Sequence, residues 1–329
     1  MDHLKTVTRG DLVKVQGTPL ILNVDAARIP VQTWAERNQT DVERLLRSNG
    51  ALLVRGLKFL GSAQLASVLS ALFGEHLLPY TYRSTPRKHL RDGVYTATEY
   101  HPSEAIPQHN ENSYANEWPR WIGFLCVTPP AAGGRTPIAD SRVVYERIPE
   151  KIRNRFASKK ILYARTYGSI DLPWTEVFQT DRKEEVEVFC NSNGISFRWL
   201  GGGGLQTRHV GCATATHPTS KERVWFNQAH LFHVTNLKAE HRAGLIDSLG
   251  GDAPRNAYYG DGSPLDEDDL DCVRRLYDET SLSFSWEKDD LLLLDNMLFS
   301  HGREPYEGAR KILCGMAGAY RGEGATPGA

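Results

Sequence analysis

Residues 291–303, LLLLDNMLFSHGR, decide the fold. Four consecutive leucines, Leu291–Leu294, predict a strand that is buried on both faces, because such strands read as continuous apolar runs. Asp295 and Asn296 favour a turn, with support of a neighbouring site as the alternative role. The chain then reaches His301, which a glycine follows. This stretch therefore predicts a buried strand that leads through a turn to a histidine.

Six further apolar segments predict strands, most of them on either side of a long middle region. They are Ala51–Arg55, Ile122–Thr128, Ile195–Leu200, Val224–Asn227, Leu282–Trp286 and Ile312–Tyr320. In the fifth segment, Leu282, Phe284 and Trp286 alternate with serines, which is the period of a half-buried strand. This arrangement is typical of an antiparallel barrel or jelly roll with helices outside, and differs from the regular alternation of a doubly wound sheet.

Four segments have apolar residues at helical spacing. A capping box, Thr40–Glu43, predicts a helix that begins at its first residue. Leu65–Phe73 follows the same spacing, and the next residue is a glycine that ends the helix. Val143–Phe156 and Asp266–Tyr277 are the other two. The predicted class is mostly β with α, a jelly-roll core with flanking helices.

Composition excludes several classes of protein. The chain has 329 residues, 40% hydrophobic and 24% charged, which is ordinary for a globular protein. A formal net charge of -1 without a basic stripe argues against nucleic-acid binding. No segment approaches the roughly 20 apolar residues that cross a membrane. We expect one domain over residues 1–329, with a core at about 50–320 and a flexible tail at 321–329.

The N-terminus and the cysteines bear on location. Residues 1–16 carry charges throughout and lack the apolar run of a signal peptide. The five cysteines are odd in number, widely spaced and without a C-x-x-C pair: Cys126, Cys190, Cys212, Cys272 and Cys314. We therefore expect reduced thiols in a cytoplasmic protein.

A histidine and a carboxylate stand two residues apart at His109 and Glu111. In an extended segment, residues at this spacing point to the same side. With His301 they complete two imidazoles and one carboxylate, the facial triad with open positions that non-haem Fe(II) oxygenases use. Taken alone, the pair His109 and Glu111 is also common among solvated or hydrogen-bonded side chains.

Two further residues suit a 2-oxo acid that chelates such a metal. Its distal carboxylate would be buried and would need a paired charge, which the guanidinium of Arg310 can supply with two hydrogen bonds. Thr136, after the Gly133-Gly134 turn, offers a hydroxyl to the same carboxylate. The alternatives are a surface arginine at the start of a strand and a plain hairpin turn.

Together these blocks resemble a known family. Gln108–Glu111, Pro129–Ser141 and the stretch from His301 through Arg310 are similar to motifs of the TauD/TfdA-type dioxygenases, which depend on Fe(II) and 2-oxoglutarate. The resemblance covers about residues 90–320 and is closest to the clavaminate synthase-like and SyrP-like branch. Much of the TauD group carries Asp where this chain carries Glu111, whereas the clavaminate synthase-like branch carries Glu.

The resemblance implies a fold and the roles of five residues. His109, Glu111 and His301 would be the iron ligands, and Thr136 and Arg310 would hold the distal carboxylate of 2-oxoglutarate. The core would be a double-stranded β-helix. A large insert, at about 141–290 between the two halves of the metal motif, would form much of the substrate lid.

The resemblance also implies a reaction. 2-Oxoglutarate and O2 would be consumed to give succinate and CO2, with oxidation of an unactivated C–H bond in a small substrate. Hydroxylation is the default outcome, and desaturation or ring closure are alternatives. Halogenation is not expected, because Glu111 is present where halogenating relatives carry a small residue. The substrate would be an amino acid or an amino-acid-derived metabolite, free or tethered to a carrier protein, in specialised-metabolite biosynthesis.

Polar residues near the motifs are candidates for substrate binding, with ordinary structural hydrogen bonding as the alternative. They are Asn112, Ser113, Tyr114, Asn227, Gln228 and Arg321. His230 and His233 form another histidine pair, whose alternatives are packing, a place in the substrate pocket and a metal role.

Two other classes of protein fit the same residues. A zinc hydrolase or lyase could use the two histidines and the carboxylate, but Arg310 and Thr136 would then lack an obvious ligand. A jelly-roll binding protein without turnover would be expected to lack one of the three metal ligands. The oligomeric state does not follow from the sequence.

Overall fold

The computed structural model describes residues 10–25, 29–97, 100–168, 171–237, 242 and 253–322. The strands are β1 (Gly10–Val13), β2 (Leu20–Val24), β3 (Ala51–Arg55), β4 (His89–Arg91), β5 (Val94–Thr96), β6 (Ile106–His109), β7 (Glu117–Thr128), β8 (Ala132–Gly133), β9 (Ile138–Asp140), β10 (Ile161–Tyr167), β11 (Ser196–Trp199), β12 (Leu205–Gly211), β13 (Thr214–Thr216), β14 (Arg223–Trp225), β15 (Arg255–Tyr259), β16 (Leu291–Asp295), β17 (Phe299–Arg303), β18 (Tyr306–Glu307) and β19 (Lys311–Arg321). The helices are α1 (Val31–Asn49), α2 (Leu65–Phe73), α3 (Ser141–Arg147), α4 (Glu150–Lys159), α5 (Trp174–Phe178), α6 (Lys183–Ser192), α7 (Ala229–Phe232) and α8 (Glu267–Glu279). Of the tail predicted at 321–329, residues 323–329 lie outside the described part.

An eight-stranded sheet forms the larger layer, in the order β1-β2-β3-β16-β7-β19-β5-β4. Neighbouring strands run antiparallel, except that β2 and β3 are parallel. β16 lies inside this sheet, and its four leucines are fully buried, as the sequence predicts. Leu291 and Leu293 pack on the side of α1 and α2, whereas Leu292 and Leu294 pack on the opposite face. Both faces of β16 are therefore covered.

A three-stranded sheet, in the order β6-β17-β9, shares the apolar core on that opposite face. Ile138 of β9 and Phe299 of β17 belong to the same cluster as Leu292 of the large sheet. A turn joins β16 directly to β17, so the buried strand of one sheet leads into the other. The fold is therefore mixed α and β, with a large sheet and a small sheet around one core.

The middle of the chain builds its own sheet and its own core. The sheet has the order β11-β12-β10-β15. A separate apolar cluster joins it to α3, α4, α5, α6 and α8, with Phe156, Tyr163 and Leu270 among its members. Tyr82 and Tyr114 belong to this cluster too. The middle region therefore packs against the segment that follows β6.

All five cysteines are free thiols, as predicted, and Cys126, Cys190 and Cys314 are buried. They offer no covalent crosslink, so packing and hydrogen bonds hold the fold. In the part of the chain that the structure describes, no helix has the length and apolar character that crossing a membrane requires.

The helix predicted to begin at Thr40 begins earlier, at Val31, so the predicted start is wrong. Pro30 precedes the helix, and Trp34 and Asn38 extend its buried face toward the N-terminus. Thr40 lies inside α1, where backbone N–H groups already have helical partners and need no cap. Burial of this face outweighs the local capping signal.

The helix predicted over Val143–Phe156 is two helices, α3 and α4, that separate at Ile148. Ile148 precedes Pro149 and has an extended backbone, because a proline disfavours the helical conformation in the residue before it. The apolar spacing continues across the break, which is why the sequence pattern suggested one helix.

The strand predicted at Leu282–Trp286 is also wrong. Within the described residues this segment has a single bridge, from Leu282 to Ile138, and no ladder. Phe284 and Trp286 are nevertheless buried in the core between the large and small sheets. The alternation of apolar residues and serines therefore predicted which side chains are buried, but the backbone of this segment does not pair as a strand.

The close approach of β17 to β6 leads to the first prediction. A Cβ atom on Gly302 would lie 2.6 Å from the carbonyl oxygen of Ile106. We expect Gly302→Ala to push the two strands apart and to lower the free energy of unfolding by about 1–3 kcal/mol, the usual cost of overpacking. Urea denaturation measures the change. Gly61→Ala is the control, because nothing lies within 4 Å of its added Cβ; equal stability of both variants would contradict the prediction.

Candidate metal centre

His109 and His301 face each other on neighbouring strands. His109 ends β6, His301 lies in the middle of β17, and the two residues are direct partners in the antiparallel ladder. Their ring centroids are 4.5 Å apart, and both side chains are buried. The pairing of these two strands therefore holds together two imidazoles that are far apart in the sequence.

Glu111 lies in the turn after β6, so the extended backbone ends at His109 and does not reach the carboxylate. Even so, His109, Glu111 and His301 each offer one ligand atom, and these atoms all lie within 4.8 Å of one another. Glu111 Oε2 is 3.8 Å from His301 Nε2. The structure thus brings together the three residues that the sequence singled out, and this set of donors suits Fe(II).

Both imidazoles are neutral and can offer a lone pair to a metal. Burial lowers the pKa of His109 and, together with the charges nearby, lowers the pKa of His301 well below its usual value. His109 donates Nδ1–H to the carbonyl oxygen of Pro107 at 2.9 Å, which leaves the lone pair on Nε2. Such a hydrogen bond also fixes the orientation of a ligating ring.

The amide of Asn296 fixes the backbone of Glu111. Its Oδ1 accepts from the Glu111 N–H at 2.7 Å, and its Nδ2 donates to the Glu111 carbonyl oxygen at 3.0 Å and to that of Pro119 at 2.8 Å. Asn110 donates in return to the Asn296 carbonyl oxygen at 2.6 Å. Asn296 therefore supports the metal motif besides lying in the predicted turn.

Side chains from distant segments hold β6 and the turn that follows it. Gln228 Nε2 donates to the Asn110 carbonyl oxygen at 2.8 Å, and His230 donates Nε2–H to the Gln108 carbonyl oxygen at 3.0 Å. Ser300 of β17 donates to Gln108 Oε1 at 2.8 Å. Burial lowers the pKa of His230 to about 4, so this imidazole is neutral and serves as a hydrogen-bond donor. These contacts keep the motif rigid.

Arg87 is a buried cation at this centre, and the sequence analysis missed it. Its Nη2 donates to Glu111 Oε2 at 2.5 Å, and the two side chains are 3% and 2% exposed. The guanidinium also lies 3.3 Å from Cys314 Sγ and 4.6 Å from the centre of the Tyr80 ring. Burial alone would lower the pKa of Arg87, but the charge of Glu111 raises it above its usual value. No motif surrounds Arg87 in the sequence, so only the fold reveals it.

A pocket extends from the two histidines to Arg310, and we call it the inner pocket. Its wall includes Arg87, His109, Phe124, Thr136, His301 and Arg310. Burial, together with the charge of Arg303, lowers the pKa of Arg310 to about 10, so the guanidinium stays protonated at neutral pH. Among the described residues, no carboxylate forms an ion pair with Arg310. The inner pocket therefore offers a partly buried cation to an anionic ligand.

Arg310 and Thr136 are brought together at the end of the inner pocket. Arg310 Nε donates to the Gly134 carbonyl oxygen at 3.0 Å, and its Nη2 lies 3.4 Å from Thr136 Oγ1. Trp286 Nε1 donates to the same hydroxyl oxygen at 3.1 Å. The turn at Gly134 and the segment that carries Trp286 thus fix both polar groups before any ligand enters.

Four of the six residues suggested for substrate binding make internal hydrogen bonds. They are Ser113, Tyr114, Asn227 and Gln228, all buried, and each donates to a backbone carbonyl oxygen at 2.6–2.9 Å. His230 and His233 lie outside the group of candidate metal ligands. The remaining two residues, Asn112 and Arg321, line a second pocket.

This second pocket, here called the outer pocket, is lined in part by Asn112, the residue after Glu111. Its wall includes Tyr80, Asn112, Glu117, Trp118, Phe189 and Arg321. Arg321 and Glu117 are direct partners of the β19–β7 ladder and both are exposed, so a cation and a carboxylate stand side by side at its rim. Arg87 of the inner pocket packs on the Tyr80 ring, which therefore separates the two pockets.

The fold and the donor set define a class, and comparison with known proteins identifies it. The family described as "Taurine catabolism dioxygenase TauD, TfdA family" matches residues 16–317. The chain belongs to this TauD/TfdA family. It is an oxidoreductase, a dioxygenase that depends on Fe(II) and uses 2-oxoglutarate and O2 as co-substrates.

Two relatives point to the branch within the family. The chain is 39% identical over 300 residues to the dapdiamide synthesis protein DdaC of Enterobacter agglomerans, covering 91% of each chain. It is 30% identical over 306 residues to a clavaminate synthase-like protein of Arabidopsis thaliana, covering 89% of each. These similarities confirm the clavaminate synthase-like branch that the sequence motifs indicated.

Solved structures share the fold at low sequence identity. PvcB, an Fe, α-ketoglutarate dependent oxygenase from an isonitrile synthetic pathway, superposes with a TM-score of 0.55 at 15% identity and covers 95% of this chain and 94% of its own. AAD-2, solved with Mn(II) and N-oxalylglycine, gives a TM-score of 0.52 at 12% identity, covering 97% and 99%. The fold is thus the one used by oxygenases of this kind.

The hydrogen bonds of Asn296 lead to the second prediction. In Asn296→Asp, a buried carboxylate would replace the amide and lose both bonds that Nδ2 donates. We expect the free energy of unfolding to fall by about 2–5 kcal/mol, because two buried carbonyl oxygens lose their donor. We also expect weaker metal binding, because Glu111 loses support. Urea denaturation and metal titration measure the two effects.

Asn191→Asp is the matched control, because Asn191 is exposed on α6. It should retain the metal affinity and most of the stability of the unmodified protein. If both variants behaved alike, the hydrogen bonds of Asn296 would have no special role in holding Glu111.

Proposed function

We propose that this chain hydroxylates an unactivated C–H bond of an amino acid or an amino-acid-derived metabolite. In this proposal His109, Glu111 and His301 bind Fe(II), and Arg310 and Thr136 bind the distal carboxylate of 2-oxoglutarate. The observation that carries it is the convergence of three buried ligand atoms within 4.8 Å, at one end of a pocket that reaches Arg310.

The three proposed ligands fit Fe(II) by their chemistry. Two neutral imidazoles and one carboxylate form a facial triad, which leaves three coordination positions for other ligands. Bound Fe(II), with 2-oxoglutarate and O2, supplies the oxidising power that breaks the C–H bond. The chain's own contribution is to orient the three side chains through the Asn296, Gln228 and His230 hydrogen bonds and to exclude water from a buried site.

The inner pocket fits 2-oxoglutarate by its charge. A buried carboxylate needs a paired, hydrogen-bonded charge, and Arg310 is a partly buried guanidinium that stays protonated. Its Nη2 and the Thr136 hydroxyl lie 3.4 Å apart, so both can donate to one carboxylate group. A guanidinium binds a carboxylate more strongly than a neutral donor does. Arg310 would therefore select dianionic 2-oxoglutarate over smaller 2-oxo acids.

The facing sheets support a double-stranded β-helix. We assign the large sheet and the β6-β17-β9 sheet to the two faces of this jelly roll, with the candidate metal ligands on the smaller face. Residues 141–290 are then the insert between the halves of the metal motif. We propose that all these parts form one oxygenase domain over residues 1–329, although the middle region has its own apolar cluster.

The outer pocket supports an amino-acid-like substrate. One residue of its wall, Asn112, follows the proposed iron ligand Glu111 directly in the chain, which supports a substrate site near the metal. At its rim, Arg321 can pair with a carboxylate and Glu117 with an ammonium group, the two charges of an amino acid. Aromatic walls at Tyr80 and Trp118 suit an apolar part of the substrate.

The printed names of two similar proteins support a role in specialised metabolism. DdaC is described as a dapdiamide synthesis protein, and PvcB as an oxygenase from an isonitrile synthetic pathway. By analogy we place this chain in the biosynthesis of a specialised metabolite, in the cytoplasm, with a substrate that is free or tethered to a carrier protein. Desaturation and ring closure remain alternative outcomes of the same chemistry.

The cofactor assignments are tested by anaerobic titration. Fe(II) followed by 2-oxoglutarate should give the wild-type protein the weak visible charge-transfer band of an Fe(II)–2-oxo acid chelate. His109→Ala should abolish this band because a metal ligand is lost. Arg310→Met should raise the dissociation constant for 2-oxoglutarate at least tenfold and leave Fe(II) affinity unchanged, because only the distal carboxylate loses its partner.

Pyruvate, which lacks a distal carboxylate, is the internal control for Arg310. The variant and the wild type should bind pyruvate equally. A wild-type protein that binds metal but gives no band with 2-oxoglutarate would contradict the proposal and favour a zinc hydrolase or a binding protein. An unchanged 2-oxoglutarate affinity in Arg310→Met would contradict the role of Arg310.

The substrate assignment is tested by substrate-triggered succinate release from a panel of amino acids and their amides. We expect Arg321→Gln to raise the KM for the best substrate at least tenfold, because the substrate carboxylate loses its charged partner, without changing the charge-transfer band. Arg208→Gln, on the exposed side of β12, is the control and should not change KM. Equal KM values in both variants would remove Arg321 from the substrate site.

A further inference from the structure

We propose that Asn112 is a specificity-determining residue of the outer pocket, and that its side chain binds a neutral amide group of the substrate. This inference rests on the proposed function, because it takes the outer pocket as the substrate site. It narrows the substrate to an amino acid, or a derivative of one, that carries an amide. Asn112 was one of six residues suggested for substrate binding, and the sequence gave no reason to prefer it over the others.

The backbone of Asn112 has an uncommon conformation. Its φ is +54°, in the left-handed region that few residues other than glycine, asparagine and aspartate adopt. The Ala115 N–H donates to the Asn112 carbonyl oxygen at 2.8 Å, so a tight turn fixes this conformation directly after Glu111. Uncommon backbone conformations of this kind are frequent where a fold holds a ligand.

The two ends of the Asn112 amide have different surroundings. Oδ1 lies 3.3 Å from the hydroxyl of Tyr114, which is buried and also donates to the Tyr82 carbonyl oxygen at 2.6 Å. Among the described residues, Nδ2 has no hydrogen-bond partner, and it is not one of the buried polar atoms that lack a partner, so it is accessible. Because Asn112 lines the outer pocket, one end of its amide is held by the protein and the other is available to a ligand.

The other amide in the wall of the outer pocket, that of Asn193, is already used inside the protein. Its Nδ2 donates to the Phe189 carbonyl oxygen at 2.9 Å, and its Oδ1 accepts from Arg321 Nη2 at 3.1 Å. The charged residues of the wall, Glu117 and Arg321, are both exposed at its rim. Among the described residues of this wall, Asn112 is therefore the amide that has an end left for the substrate.

The neutrality of Asn112 decides which chemical group it binds. A substrate carboxylate held away from water needs a paired charge, which an amide does not supply, and the preceding residue, Glu111, is itself a carboxylate that Arg87 already pairs. A substrate amide carries no charge, and its oxygen can accept from Nδ2. A site built to form such a hydrogen bond discriminates against analogues that cannot form it. The rim charges of Arg321 and Glu117 then remain for the carboxylate and ammonium groups of the amino acid.

The test uses pairs of probes that differ only in an amide and a carboxylate: asparagine with aspartate, glutamine with glutamate, and the C-terminal amides of both acids with the free acids. Binding to the anaerobic Fe(II)–2-oxoglutarate protein is followed by the change in the charge-transfer band. We expect wild type to bind the amide of at least one pair roughly tenfold more tightly. Asn112→Gly should reduce this preference roughly fivefold, the worth of one neutral hydrogen bond, and keep the band itself.

Glycine is the substitution of choice because it adopts the left-handed backbone without strain, so the variant loses only the side chain. Asp92→Gly is the matched control: Asp92 is also left-handed, with φ +48°, but it is exposed and lines neither pocket. It should keep the preference for the amide. Tyr114→Phe should lower the preference in wild type but not further in Asn112→Gly, because its hydroxyl acts through Asn112; additive effects would show a separate structural role.

The other outcomes have distinct meanings. A wild-type protein that prefers no amide, or an unchanged preference in Asn112→Gly, would overturn the inference and leave the proposed function intact. Loss of the charge-transfer band in Asn112→Gly would also overturn it, because Asn112 would then be needed to build the metal motif. A wild-type protein without the band would instead overturn the proposed function.

A second measurement needs no variant and decides the question if Asn112→Gly fails to fold. The wild-type protein is crystallised anaerobically with Fe(II), 2-oxoglutarate and the amide probe that binds most tightly. An amide of the probe within hydrogen-bond distance of the Asn112 side chain supports the inference. A probe whose amide contacts other groups and leaves Asn112 without a partner overturns it.

Discussion

The pairing of β6 with β17 is the constraint on which the rest of the site depends. Because His109 and His301 are opposite each other in this ladder, two imidazoles from distant parts of the chain meet without further adjustment. The ladder also requires a glycine after His301, since a side chain there would collide with the Ile106 carbonyl oxygen. The H-G dipeptide of the motif is therefore explained by backbone packing as much as by metal chemistry.

The inner pocket has a positive charge at both ends, from the buried Arg87 at one end and the partly buried Arg310 at the other. Arg87 compensates Glu111 beside the candidate metal ligands, whereas Arg310 has no carboxylate partner in the described chain. Burying an uncompensated charge costs free energy, and the depressed pKa of Arg310 reflects that cost. The fold therefore holds the positive charge of Arg310 at one end of the inner pocket, and a dianionic ligand can neutralise this charge.

Sequence patterns predicted best where local spacing and chemistry coincide. The leucines of β16 could be predicted directly from one short stretch, whereas the three metal-ligand candidates required His109 and Glu111 to be combined with the distant His301 and with the resemblance to a known family. The start of α1 at Val31 could not be read, because it depends on what the helix buries. Arg87 was missed for the same reason, since its role arises only when the fold carries it to Glu111. Contacts between residues that are far apart in the chain produce no periodic pattern in the sequence.

The stacked side chains of Arg87, which lines the inner pocket, and Tyr80, which lines the outer pocket, lie between these two pockets. The inner pocket is cationic, which suits the dianionic 2-oxoglutarate that we propose binds there. The outer pocket is larger and carries charges of both signs at its rim, in loops and strand ends that tolerate change more readily than the core. Under the proposed function this separation allows substitutions in the outer pocket to change the choice of substrate, because the hydrogen bonds that hold Glu111 come from Asn296 and Arg87, which do not line that pocket.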